Sequence, residues 1–213
     1  TFKRILTSLF TLLAILLVLF ILMQLMPGSP FNDEKLTPDM RAALFAKYGP
    51  DQLSYWVEDV DAAAEHFAKV FGAGPFLKMG PLKFEKAIVH GKPADPELII
   101  ALGMWGQIQV EFVQKVNAEA HLFDDFGYGF NHINICVDDV EGTVRQLEKD
   151  GYEVGMYMES SGAPIYYMNS MNKIGHCIEL HAPNPTIAMC KKAVELWDGK
   201  DPFMDMAEVI AAM

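Results

Sequence analysis

Cysteine is scarce in this chain and positive charge is in deficit, and each shortage removes a class of function. The three cysteines, Cys136, Cys177 and Cys190, are odd in number and lack CxxC spacing, so they do not form a disulfide framework. Cys136 and Cys177 sit in strand-like runs and read as small core residues. Lys and Arg number 17 against 28 Asp and Glu, a net charge of −11, which argues against a nucleic-acid partner. The densest basic stretch, Lys78, Lys83, Lys86 and Lys92, reads as a solvated loop face.

Charge is missing altogether from Ile5 to Met26, 22 residues of mostly Leu, Ile, Phe and Val. A helix of that length rises roughly 33 Å, enough for a bilayer core of about 30 Å. Lys3 and Arg4 precede it, as on a cytoplasmic flank. A cleaved signal is the competing reading, but QLMPG at Gln24–Gly28 offers no small-x-small cleavage site. The expectation is one N-terminal transmembrane helix (1–27), a membrane location, and lipid as the partner of residues 5–26. A linker with a short helix over Pro38–Tyr48 follows, to residue 51.

What is present from residue 52 onward is a repeat. QLSYWVEDVD at Gln52–Asp61 and HINICVDDVE at His132–Glu141 are offset by 80 residues. Each reads as a strand, an Asp N-cap (Asp59, Asp139) and an amphipathic helix closed by glycine, Gly72 or Gly151. Further strands are expected at 84–90, 97–103 and 107–114, then at 153–158, 164–169 and 175–181. The fold class is therefore α+β, two βαβββ modules (52–115 and 130–182) within a domain over 52–183. A helical extension over 184–213 completes the chain.

Alternation along four of these strands separates an apolar face from one with metal-ligand chemistry. Leu53, Tyr55 and Val57 oppose Gln52, Ser54 and Trp56, while Ile133, Ile135 and Val137 oppose His132, Asn134 and Cys136. Ile108, Val110 and Phe112 oppose Gln107, Gln109 and Glu111, and Ile178 and Leu180 oppose Cys177, Glu179 and His181. A carboxylate on an inward face is costly unless compensated, and one metal ion would compensate both. His66 and His90 read as surface residues, His121 as a loop residue, and His181 as a neighbour of Glu179. Trp105, Phe76, Met158, Tyr166 and Tyr167 are candidates to line a pocket.

The motifs QLSYWVEDVD, VEFVQ, NHINICVDDVE and IGHCIELHAPN together resemble the vicinal-oxygen-chelate superfamily. It includes glyoxalase I, methylmalonyl-CoA epimerase, extradiol dioxygenases and bleomycin-resistance proteins. The resemblance implies a U-shaped mixed sheet around a metal cleft, with Gln52, Glu111, His132 and Glu179 as ligands of one divalent ion. Three oxygen ligands and one imidazole suit Zn, Ni, Co, Mn or Fe(II). It further implies a lyase or epimerase that takes a proton beside a chelated carbonyl, with Glu179 as base and Glu111 opposite. The substrate would carry vicinal oxygens, with a hemithioacetal and an acyl-CoA thioester as the possible classes, and a homodimer stays open. An extradiol dioxygenase needs a second histidine where Gln52 stands. A non-catalytic resistance-type binding module is the alternative, although that branch usually loses ligands retained here.

Residues 1–51 resemble the N-terminus of an oligopeptide ABC-transporter permease, through the KR-led span, PGSPF and AKYG-x-DQ. The rest of that family's spans do not follow, so no transport activity is expected. The chain begins with Thr1, which reads as a fragment or a fusion. A membrane-anchored fusion is a further alternative, and the domain would be cytoplasmic if the first segment is an artefact of joining.

Overall fold

A computed structural model describes residues 49–213; Ile5–Met26, the permease-like segment and the expected helix at Pro38–Tyr48 lie outside the described residues. The expected membrane location is corrected. Among the described residues no helix is long and apolar enough to cross a membrane, and the run that suggested one falls outside them.

The repeat folds as its sequence reads. β1 (Gln52–Trp56) leads to α1 (Val60–Phe71), where the Asp59 carboxylate accepts the Asp61 and Ala62 amides and Gly72 ends the helix at φ 67°. β7 (Gly129–Cys136) leads to α2 (Val140–Lys149), capped by Asp139 on the Gly142 amide. Each such cap stabilises its helix by about 1 kcal/mol. The first module adds β2 (Phe76–Leu82), β3 (Lys86–Val89), β4 (Lys92–Ala94), β5 (Leu98–Trp105) and β6 (Ile108–Lys115). A 3-10 turn at Leu122–Asp125 bridges the modules. The second adds β8 (Glu153–Ser160), β9 (Ala163–Asn169), the short α3 (Met171–Ile174) and β10 (Cys177–His181). The extension holds α4 (Thr186–Leu196), β11 (Phe203–Met204) and α5 (Met206–Ala211).

All eleven strands join one mixed sheet in the order β11-β2-β5-β6-β1-β7-β10-β9-β8-β3-β4. At its centre β1 and β7 are antiparallel, each flanked by the parallel last strand of its own module. One strand differs from expectation. The segment read as a module-one strand at 84–90 supplies β3, which pairs with β8 of module two. The first module's own strand is Phe76–Leu82, whose alternation is broken by Gly80 and Pro81.

This topology forces the sheet to curl. Strands lie about 4.8 Å apart, so β5 and β3, seven places apart, would stand roughly 34 Å apart in a flat sheet. Yet Leu98 of β5, Val113 of β6, Ala87 and Val89 of β3, and Met156 and Met158 of β8 share one buried cluster. The three residues between β2 and β3 also reach no more than roughly 14 Å. The two arms therefore face each other across a concave interior, which Leu122 and Phe123 help to fill. On the convex side Leu53, Tyr55 and Phe112 pack with Val60, Ala64 and Phe67 under α1, and Ile133 and Ile135 with Val140 and Val144 under α2. Each buried Val, Leu, Ile or Phe there contributes roughly 1.5–3 kcal/mol. The ligand-bearing face is left pointing inward.

Candidate metal centre

Register brings the inward polar residues into two adjacent rows. Across the first, Gln109, Gln52, Asn134 and Glu179 stand side by side on β6, β1, β7 and β10, with Tyr167 beyond on β9. Across the second stand Glu111, Ser54, His132 and Cys177. Glu111, His132 and Glu179 converge, with ligand atoms all within 4.8 Å of one another. The His132 Nε2 atom lies 2.9 Å from Glu179 Oε2 and 3.4 Å from Glu111 Oε2. Bonds of 2.0–2.2 Å to a shared ion put neighbouring ligand atoms roughly 3 to 4 Å apart.

Two further observations test whether an ion fits. First, His132 is fully buried and its Nε2, despite these short approaches, has no hydrogen bond of acceptable geometry. Its Nδ1 faces Asn131 Oδ1 at 2.5 Å, the partner that fixes a ligating imidazole's orientation and leaves Nε2 for the metal. Second, Glu111 and Glu179 are only 8% and 7% exposed, so the cavity holds two carboxylates against at most one imidazolium. A buried charge left unmatched costs several kcal/mol. A divalent ion with neutral His132 removes the mismatch, and the residues fit one.

Without an ion the same proximity tunes the titration. Burial alone would lower the His132 pKa, but the closeness of the Glu111 and Glu179 carboxylates and their charges outweigh it and raise it to about 9. Burial would raise Glu179, yet the His132 partner, then the charges of His132 and His181 and a Tyr167 hydrogen bond, hold it below the ordinary carboxyl value. The buried Tyr167 phenol is pushed well above 10, first by burial and then by the Glu179 and Glu111 charges.

Gln52 stands beside the cluster in an amide row. An ionised Glu179 carboxylate can only accept, so Asn134 must present its Nδ2, which reaches Glu179 Oε1 at 3.1 Å and Gln52 Oε1 at 3.2 Å. Gln52 Nε2 then donates to Gln109 Oε1 at 2.8 Å, and Gln109 Nε2 to Cys190 Sγ at 3.2 Å. The polarity of the whole row follows from one charge at its end. It turns the carbonyl oxygen of Gln52, rather than its amine, toward Asn134. Ser54 Oγ donates to Glu111 Oε2 at 2.6 Å.

The other sequence candidates separate. Tyr167 borders the centre and Met158 lies in the concave core. Phe76 packs beneath α1, Tyr166 packs with the α2 cluster, and Trp105 is partly exposed beside Phe71. His66 and His90 are exposed as expected. His181 is buried on the Glu179 side, close enough to influence both Glu179 and Asp51. His121 lies in a loop, as expected, and is buried there. It is 2% exposed and stacks on Trp56 at 4.6 Å, while its Nδ1 accepts the Phe123 amide. Ser54, Asn134 and Gln109 were missed as functional partners, although period-two alternation already placed them on the ligand face.

Comparisons with known proteins follow this geometry. A family profile described as Glyoxalase/Bleomycin resistance protein/Dioxygenase superfamily matches residues 51–167. It leaves residues 1–50 unmatched, so the permease resemblance gains no support. No curated protein sequence matches the chain. Among solved structures, a methylmalonyl-CoA epimerase from Mycobacterium tuberculosis is similar at 18% identity and TM-score 0.40, covering 65% of this chain and 90% of its own. A hypothetical protein from Bacillus halodurans C-125 is similar at 12% identity and TM-score 0.41, covering 63% and 94%. A Streptomyces coelicolor methylmalonyl-CoA epimerase variant, in complex with 2-nitronate-propionyl-CoA, is similar at 15% identity and TM-score 0.40, covering 62% and 95%. With the profile spanning more than half of the 213 residues, this chain belongs to the glyoxalase/bleomycin resistance protein/dioxygenase superfamily.

Proposed function

We propose that this protein is a metal-dependent lyase or isomerase of the glyoxalase and epimerase type, which removes a proton beside a metal-chelated carbonyl. The observation that carries the reading is the buried Glu111–His132–Glu179 group, whose imidazole Nε2 faces two carboxylates without a hydrogen bond. Those three residues, with the carbonyl oxygen of Gln52, would hold one divalent ion. Bound there, the ion would supply Lewis-acid polarisation of the substrate carbonyl it chelates.

The chain's own residues supply the rest. Glu179 Oε2 receives the proton, because its carboxylate is held ionised by the charge around it and its Oε1 is anchored by Asn134. Glu111 lies opposite, fixed by Ser54. Asn131 holds the His132 ring in the tautomer that leaves Nε2 free. Phe123 stacks on His132 at 5.2 Å and Tyr167 meets its edge, so water is excluded from one side. Hemithioacetals and acyl-CoA thioesters, the latter being what the epimerase neighbours act on, are the substrate classes to screen.

Elemental analysis of the purified full chain, joined to deuterium exchange at the carbon beside the carbonyl in both classes, tests the proposal. Bound metal with exchange that is lost in Glu179→Gln is expected. Metal-bound protein that exchanges no substrate proton in either class would overturn the enzymatic reading.

A further inference from the structure

We propose that Ser54 and Asn134 are a repeat-related pair that anchor the two carboxylates differently, so that Glu111 stays in place and Glu179 swings. The inference rests on the metal-site reading above and adds the division of labour between the two glutamates.

Ser54 and Asn134 occupy the same place in their repeats, 80 residues apart, each two residues after the first-strand ligand position, Gln52 or His132. Each bonds the carboxylate on the neighbouring parallel strand, but at different atoms. The Ser54 hydroxyl donates to Oε2 of Glu111, and that same oxygen faces His132 at 3.4 Å. At 2.6 Å this bond falls in the short range of hydroxyl–carboxylate pairs, about twice as strong as a neutral bond. Glu111 cannot turn Oε2 away from the centre without breaking it.

Asn134 instead donates to Oε1 of Glu179, while Oε2 is the atom 2.9 Å from His132. The anchored oxygen acts as a pivot. Rotation about it carries Oε2 away from the ligand position and keeps the Asn134 bond. The pivot is itself fixed, since Asn134 is 4% exposed and is tied through Gln52 and Gln109 to Cys190 of α4. Ser54 and Asn134 are positioning residues: they act through the glutamates and touch no reacting atom.

The test compares crystal structures of the full chain with and without Co²⁺, and of its Ser54→Ala, Ser54→Thr and Asn134→Ala variants. On loading the parent with Co²⁺, Glu179 Oε2 should shift about a stationary Oε1 while Glu111 superposes. In Asn134→Ala, Glu179 should leave its approach to His132 with Glu111 undisturbed, and Ser54→Ala should do the converse. Co²⁺ affinity, read from the visible absorption of the bound ion, should fall roughly 10- to 100-fold in each alanine variant and return in Ser54→Thr. Equal movement of both glutamates, or a Glu179 unmoved in Asn134→Ala, overturns the inference. If the parent takes no Co²⁺ yet the carboxylates shift in the variants as described, the metal reading fails and the positioning stands. If Co²⁺ binds but neither carboxylate responds, the positioning fails and the metal reading stands.

Discussion

Replacing His121 by phenylalanine should change stability little at neutral pH and make the protein more stable in mild acid. His121 is buried against Trp56, and its pKa is lowered from 6.5 to about 3, first by burial and then by the Lys115 and His132 charges. The unfolded chain therefore binds a proton at this site below about pH 6.5 that the folded chain refuses until about pH 3. Stability falls with pH across that window, at roughly 1.4 kcal/mol per unit. At pH 4.5 the accumulated loss is about 2.7 kcal/mol relative to neutral pH. His121→Phe keeps a ring on Trp56, loses the Nδ1 acceptor of the Phe123 amide and removes the buried Nε2 that has no partner, two changes of about 1 kcal/mol each and opposite in sign. The variant should thus match the parent within about 1 kcal/mol at pH 7.5 and be about 2.7 kcal/mol stronger at pH 4.5. Urea denaturation followed by tryptophan fluorescence at the two pH values measures both. Parallel curves for the two proteins would refute the claim that His121 is held neutral.

The remaining predictions concern the centre and the core. Glu179→Gln should retain some metal and lose turnover, whereas Gln52→Ala should be the mildest ligand change because a neutral amide contributes least charge; metal content and substrate deuterium exchange separate the two. Gly103→Ala should destabilise the fold by about 1–3 kcal/mol, since a Cβ there would stand 2.7 Å from the Phe76 ring in a filled core. A urea midpoint unchanged from the parent would contradict that packing.

Much of this arrangement could be read before any coordinates. The 80-residue repeat, both Asp caps and the inward face of Gln52, His132, Glu111 and Glu179 follow from period-two and period-3.6 patterns, which are local properties of the chain. What could not be read was long-range. The crossing of Lys86–Val89 to β8 depends on the sheet closing on itself, and strand alternation carries no information about which edge a strand will find. The strand at Phe76–Leu82 was hidden because Gly80 and Pro81 interrupt its pattern. The burial of the loop residue His121 was not legible because it comes from Trp56, more than sixty positions away. Ser54, Asn134 and Gln109 were visible on the right face but not as partners, since a hydrogen-bond row across four strands is set by register. The apolar run Ile5–Met26 lies outside the described residues, among which no helix is long and apolar enough to cross a membrane.

The most direct test of the central claim is calorimetric titration of the metal-free full chain with Co²⁺ at pH 7, in buffers of different ionisation enthalpy. Because the Glu111 and Glu179 carboxylates raise the His132 pKa to about 9, the account puts a proton on it at pH 7 that a metal must displace. The account predicts one ion per chain, close to one proton released, and affinity rising about tenfold per pH unit toward 9, with all three lost in His132→Ala. Co²⁺ binding that survives His132→Ala with unchanged stoichiometry and proton release, or no binding by the parent, would contradict it.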